Sequence, residues 1–185
     1  MKKVLIFPGA GQYVRNYGSY DGVEIWLAGE DTAQIPVAEW YVGHSLGISF
    51  MLAHCGNRPD AKFILINPLL PQRNVFRLLW RWIRFFIGEG IQKQKRVAFR
   101  HWPRVARVIG RLIRVDVWEA IHNIPKEKIT IIRGTRDSYF CDAESDVFLR
   151  SAGMRVLNAD AGHDWNEAIA RTVTRITEGR DENVS

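Results

Sequence analysis

Cysteine is scarce: Cys55 and Cys141 are the two in a chain of 185 residues, at no metal-ligand or redox spacing. That excludes a disulfide scaffold and fits free thiols in a reducing cytoplasm, the expected location. Long uncharged runs are missing too. The longest stretch without Asp, Glu, Lys or Arg is Trp40–Asn57, 18 residues, which only reaches the length of a spanning helix. It contains Gly43, His44, Ser45, Gly47 and Asn57 and suits a strand, a turn and a helix better. The apolar run after Lys2 and Lys3 stops at Pro8-Gly9, too short for the core of a signal peptide. Repeats and low-complexity tracts are absent. A composition 46% hydrophobic and 25% charged excludes a disordered or collagen-like chain. One domain over 1–185 is expected, large enough to bury a core.

What is present is alternation. Apolar, β-branched runs at Lys3–Phe7, Val23–Leu27, Trp40–His44, Phe63–Ile66, Ile129–Ile132 and Met154–Leu157 read as strands. Helical patterns at Ile48–Cys55, Ala143–Ala152 and Asn166–Glu178 fall after several of them, with Gly153 placed to end the second. Continuous hydrophobic strands alternating with helices predict a three-layer α/β domain around a parallel sheet. The connections before the third strand are short, so the N-terminal half is pared down. Between Pro71 and Pro125 the pattern is helical without a strand, an insertion over one edge of the sheet.

Gly43-His44-Ser45-Leu46-Gly47 is a G-x-S-x-G between a strand and a helix. Its glycines permit the tight turn that lifts a serine hydroxyl off the end of a sheet. The helix N-terminus adds positive partial charge beside a developing oxyanion. A serine hydroxyl needs a base. His163, in the glycine-flanked loop past the last strand, is the candidate; His44, His54, His101 and His122 read as structural or solvated. Asp137, just past the fifth strand, is the candidate orienting carboxylate, with Asp142 the rival and Asp160 third. The order Ser45, Asp137, His163 is the one an elbow-type triad follows. The oxyanion donors expected are the N–H groups of Leu46 and Ala10, with Gly11 the second choice for the latter. Gly9-Ala10-Gly11 is an incomplete dinucleotide fingerprint, because Val14 fills the third glycine position and no P-loop lysine follows.

Four motifs, FPGAG at 7–11, GHSLG at 43–47, GTRD at 134–137 and GHDW at 162–165, together resemble the α/β-hydrolase superfamily over nearly the whole chain outside the insertion. The resemblance implies the three-layer α/β-hydrolase fold, here with a reduced, mostly parallel sheet of about six strands. It implies a serine nucleophile, an acyl-enzyme, and neither metal nor organic cofactor. It implies a helical cap between the strand after the elbow and the strand before the acid, the place of residues 71–125. The expected activity is cleavage of a carboxylic ester or thioester, with a non-catalytic basic binding module on a hydrolase fold as the alternative. Two departures stand out: the short region before the elbow, and Gly9 where many relatives carry histidine.

Acidic residues are nearly absent from the cap. Residues 73–114 hold 12 Lys and Arg against Glu89 alone, so a chain of net charge +6 is +11 there and −5 elsewhere. Arg77, Arg81 and Arg84, and then Arg100, Arg104, Arg107, Arg111 and Arg114, recur at helical spacing. Like charges so placed repel unless a partner neutralises them, which makes these eight the candidate partner-binding residues. An acidic acyl carrier protein is the first expectation, in the manner of the biotin-pathway esterases that cleave the methyl ester of pimeloyl-carrier protein, which this chain also resembles. An anionic membrane surface is second, since Trp80, Trp82, Phe85 and Phe86 interleave with the arginines. Nucleic acid is disfavoured, because no recognised binding motif accompanies the charge. The aromatic cap is also compatible with a dimer.

Overall fold

The structure is a computed structural model that describes residues 3–28, 35–69, 75–88 and 96–180, with side chains for all of these except 28, 75–79, 86 and 88. Six strands form one sheet: β1 (Val4–Phe7), β2 (Asp21–Gly22), β3 (Trp40–His44), β4 (Lys62–Ile66), β5 (Ile129–Gly134) and β6 (Val156–Ala159). Their order is β2-β1-β3-β4-β5-β6 and every pairing is parallel. A parallel sheet must be covered on both faces, and alternate residues of each strand serve the two sides. Leu5, Phe7, Tyr41, Phe63, Leu65, Ile129 and Ile131 belong to one buried cluster; Ile6, Val42, Ile64, Ile66 and Ile132 belong to another. The first is covered by α2 (Leu46–Cys55) and the cap, the second by α7 (Glu167–Thr177) through Ile169, Val173 and Ile176.

Two of the expected strands differ. Val23–Leu27 is not a strand: β2 is two residues long, and α1 (Ile25–Ala28) follows it as a single helical turn. Ile25 and Trp26 are both fully buried in the same cluster. Strand alternation would send them to opposite faces, whereas a helical turn delivers both to one. The last strand begins two residues later than Met154 because α6 (Ala143–Ser151) consumes that residue in its cap. Gly153 takes φ 73° there, and the Met154 amide donates back to the Leu149 carbonyl.

The 71–125 segment contributes α3 (Val75–Gly88), a 3-10 turn at Phe99–His101, α4 (Trp102–Leu112) and α5 (Val117–His122). Val105, Val108, Val117 and Ile121 of these helices share a cluster with α2. Asp116 caps α5 by accepting from the amides of Trp118 and Glu119 at 2.9 and 3.0 Å. Among the described residues no helix is long and apolar enough to cross a membrane.

Candidate active site

Ser45 leaves β3 in a conformation that few non-glycine residues adopt, φ 52° and ψ −124°. The backbone is fixed there from both sides: the Ser45 amide donates to the Ile66 carbonyl at 2.9 Å, and its carbonyl accepts from the Ile48 amide at 3.0 Å. The motif glycines are required by close approach. A Cβ at Gly47 would stand 2.2 Å from the Phe7 carbonyl oxygen, and one at Gly43 2.9 Å from Ile48 Cα. The elbow therefore exists because helix α2 starts hard against the end of β1.

His163 and Asp137 arrive from the ends of β6 and β5. His163 Nε2 is 2.9 Å from Ser45 Oγ, and His163 Nδ1 is 2.7 Å from Asp137 Oδ2. An ionised carboxylate only accepts, so the Nδ1–H belongs to Asp137 and Nε2 is left to take the serine proton. Asp137 is 1% exposed. Its Oδ1 accepts the amides of Tyr139 and Phe140 at 3.0 Å each, and its Oδ2 that of Cys141 at 3.2 Å. Burial alone would raise its pKa. The His163 charge and hydrogen bond and the two nearer amides outweigh burial and hold it at about 2. The rival carboxylates are engaged elsewhere: Asp142 caps α6 and pairs with Arg81, and Asp160 pairs with Arg136 at the surface.

A second set of contacts fixes the base from behind. The His163 carbonyl accepts from His44 Nε2 at 2.8 Å and from Asn67 Nδ2 at 2.7 Å. Asn67 Oδ1 also accepts the Gly134 amide at 2.7 Å, so one fully buried side chain ties the acid strand to the base loop. His44 is held near pKa 4, first by burial and then by the His163 charge, so it is neutral at pH 7. Its Nε2–H donates to the His163 carbonyl, which leaves Nδ1 to accept from Tyr17 at 2.6 Å. The Tyr17 hydroxyl oxygen accepts the Gly9 amide at 2.8 Å and also meets Gln12 Oε1. Its single proton is thus shared between two acceptors. Gly9 is a glycine for a local reason: a Cβ there would lie 2.7 Å from His44 Nδ1. Residues 12, 17, 44 and 67 were not candidates from sequence. The only local signal was Asn67 itself, which takes φ 48° after β4, a conformation asparagine tolerates better than most.

The two oxyanion candidates are where a helix start and a glycine loop put them. Leu46 is the first residue of α2, where N–H groups have no intrahelical acceptor. The Gly9 amide is taken by Tyr17, while that of Ala10 meets no acceptor among the described residues. Ala10 and Ser45 line one narrow pocket, about 210 Å³ of empty space with its open mouth included, together with His163, Phe85, Phe140 and Arg96. Phe85 of α3 stands edge-on to His163 with ring centroids 5.4 Å apart, and Phe140 stands 4.5 Å from it. The cap therefore roofs the site with aromatic carbon, and Ser45 and His163 are each 4% exposed.

No protein-family model matches this sequence, and no curated protein does. Solved structures match its fold. N-formylmaleamic acid deformylase from Pseudomonas putida S16 superposes with a TM-score of 0.60 over 93% of this chain and 90% of that one, at 12% identity. MGS-M2, an α/β hydrolase enzyme from a Medee basin deep-sea metagenome library, gives 0.56 over 98% and 90%, at 13% identity. BioG from Haemophilus influenzae gives 0.55 over 86% and 87%, at 13% identity. This chain has the α/β-hydrolase fold.

On that fold the cap arginines divide. Arg81 is used internally: its guanidinium donates to the Tyr139 carbonyl at 3.0 Å and to Asp142 Oδ2 at 3.1 Å, tying α3 to the acid loop. Arg104 donates to the Leu27 carbonyl. Arg84, Arg100, Arg107, Arg111 and Arg114 are exposed, and the side chain of Arg77 lies outside the described residues. Arg107 and Arg111 lie on the outer face of α4, opposite buried Val105, Val108 and Leu112. Trp80, Ile83 and Ile87 on α3, with Phe99, are exposed as well. Both thiols are free and buried, which pushes their pKa values up, that of Cys55 to about 11. Among the described residues no group of His, Cys, Asp and Glu could hold a metal ion.

Proposed function

We propose that this protein is a serine hydrolase of carboxylic esters or thioesters. The observation that carries the reading is the unbroken relay from Ser45 Oγ through His163 to Asp137, at 2.9 and 2.7 Å, at the ends of three strands. Ser45 Oγ attacks the substrate carbonyl carbon while His163 Nε2 takes its proton. The carbonyl oxygen, now an oxyanion, is received by the Leu46 and Ala10 N–H groups. Collapse breaks the bond to the alcohol or thiol, which departs with the proton from His163, while the acyl group stays bonded to Ser45 Oγ. Water then attacks the acyl carbon, giving its proton to His163 and its hydroxyl to the acyl group. The acid departs and Ser45 regains its proton. Asp137 keeps the imidazole in the required tautomer throughout and stabilises the imidazolium.

The test is direct. Ser45→Ala is expected to lower p-nitrophenyl ester turnover by at least ~10³-fold, and a fluorophosphonate probe is expected to label the wild type but not this variant. An unlabelled wild type with an intact fold would leave only a basic binding module.

The cap supports a finer reading, in which the acyl group is delivered by an acidic carrier protein, as with a carrier-bound ester such as the pimeloyl methyl ester. The exposed arginines of α3 and α4 favour it, because α3 roofs the site and both helices present positive charge to solvent. An anionic lipid surface is the competing partner, favoured by exposed Trp80, Ile87 and Phe99.

A further inference from the structure

Arg96 differs from the other cap arginines. It is 8% exposed and lines the same cavity as Ser45, His163 and Ala10. The chain reaches this point through an antiparallel bridge, Gln12 to Arg96, closed by the Val97 amide on the Gly11 carbonyl at 2.7 Å. The insertion thereby lays a cation against the oxyanion loop.

A guanidinium has five N–H donors. Arg96 Nη1 donates to the Ala10 carbonyl at 2.8 Å, and Nη2 faces Asp164 Oδ1 and Oδ2 at 3.3 Å each. Its Nε is buried and meets no acceptor among the described residues. The ion pair is long, since charge-assisted N–H···O bonds run to about 2.7–2.9 Å. Asp164 makes its shorter contact with Gln12 Nε2, at 2.8 Å. A buried arginine with an unpartnered Nε–H, walled by Phe85 and Phe140, is costly unless something else completes it. A planar two-oxygen anion fits that need, because it takes two parallel N–H groups of a guanidinium at once.

We infer that Arg96 binds a carboxylate on the acyl side of the substrate, so that the preferred substrates are half-esters or half-thioesters of short dicarboxylic acids. The inference rests on the hydrolase reading and narrows it. The enclosed space beside Ser45 and Arg96 is tight, with room for about one water, so a long acyl group finds no room between them and the acyl group that reaches the guanidinium is a short one. The carboxylate on Arg96 would orient the carbonyl toward Ser45 and the amides of Leu46 and Ala10, turning remote binding energy into positioning.

Matched pairs test this: monomethyl succinate against methyl butyrate, and monomethyl glutarate against methyl valerate, followed by methanol release. The wild type is expected to favour the charged member of at least one pair by tenfold or more in kcat/KM. Succinate is expected to inhibit methyl butyrate hydrolysis more strongly than butyrate does. Both preferences should persist in 0.5 M salt, because a buried cation is weakly screened. Arg96→Met should bring the charged-to-neutral ratio close to one, and Arg96→Lys should keep part of it. A purely structural Arg96 would depress both members of a pair alike and leave the ratio standing, which overturns the inference. Equal cleavage of the pairs by the wild type, or a preference that salt abolishes, overturns it while sparing the hydrolase reading. Failure to cleave any of the four esters, together with failure of the fluorophosphonate probe, overturns both.

Discussion

Asp137 and Arg107 are both charged, and their surroundings could hardly differ more. Asp137 accepts three backbone amides and an imidazole and has almost no contact with solvent. Arg107 stands in solvent on a helix whose opposite face is buried. The same contrast holds for the regions that carry them. At the strand ends nearly every polar atom has a partner inside the protein: Asn67 holds Gly134 and His163, and His44 holds His163 and Tyr17. On the cap, α3 and α4 turn arginines outward, and Trp80, Ile87 and Phe99 with them, so that part of their bonding capacity is left to whatever they meet. One region is satisfied from within and fixes geometry. The other keeps unspent charge and apolar surface for encounter.

That difference also decides what could be read from the chain. The elbow is legible because steric demand leaves a local signature: Gly43 and Gly47 must lack side chains, and Ser45 lies between them. The sheet is legible because buried parallel strands are written as unbroken apolar runs. Val23–Leu27 misled for a tertiary reason, since two adjacent side chains go to one cluster at a sheet edge. Asp137 was legible over Asp142 from its place just past the fifth strand, but the amides at 139–141 that hold it were not, because any residues could supply them with their backbones. His44, Asn67 and Tyr17 left no mark because their partners are far along the chain. For the cap, periodicity revealed the arginine stripes but could not reveal that Arg81 is spent on Asp142, or that Arg96 turns inward toward Asp164 and the Ala10 carbonyl and lines the pocket of Ser45.

The self-satisfied region should break most severely. Asp137→Asn replaces one acceptor by a donor, which opposes the amides of residues 139–141 and favours the wrong imidazole tautomer. A loss of kcat on the order of 10⁴-fold is expected. Steady-state kinetics on a soluble ester would check it, with circular dichroism to confirm the fold. A loss below tenfold would mean that another carboxylate orients His163.

Acid should loosen the same region in two stages. The native state keeps His44 neutral down to about pH 4, whereas an unfolded histidine titrates near 6.5. Between those values the unfolded chain binds the proton that the native chain refuses, so stability falls as pH falls. Asp137 acts next: its native pKa of about 2 lies below the ordinary 3.8, so the stability it lends is present above that value and is lost as pH drops from 3.8 toward 2. Thermal unfolding should show Tm falling by several degrees from pH 7 to pH 5. His44→Gln keeps an amide donor for the His163 carbonyl and an acceptor for Tyr17. It should flatten that first decline even if it lowers Tm at pH 7. An equally steep decline in the variant would assign the acid sensitivity to another group.

The cap should respond least, and selectively. Replacing Arg84, Arg100 and Arg107 by Glu reverses three exposed charges without touching the buried face of α4 or the Arg81 and Arg96 contacts. Hydrolysis of small neutral esters should change by no more than about threefold, because exposed charges are largely screened at ~0.1 M salt and a neutral ester carries no charge for them to attract. Cleavage of a carrier-borne ester should fall by tenfold or more, chiefly through slower association, and wild-type turnover of it should drop as salt rises. If the variant loses both substrates equally, these arginines serve folding rather than encounter. If instead the wild type sediments with anionic vesicles, the variant does not, and carrier-borne esters are cleaved no faster than free ones, the outward face of the cap meets lipid. In each case the split between the two substrates separates a region that holds its own geometry from one whose charge waits for a partner.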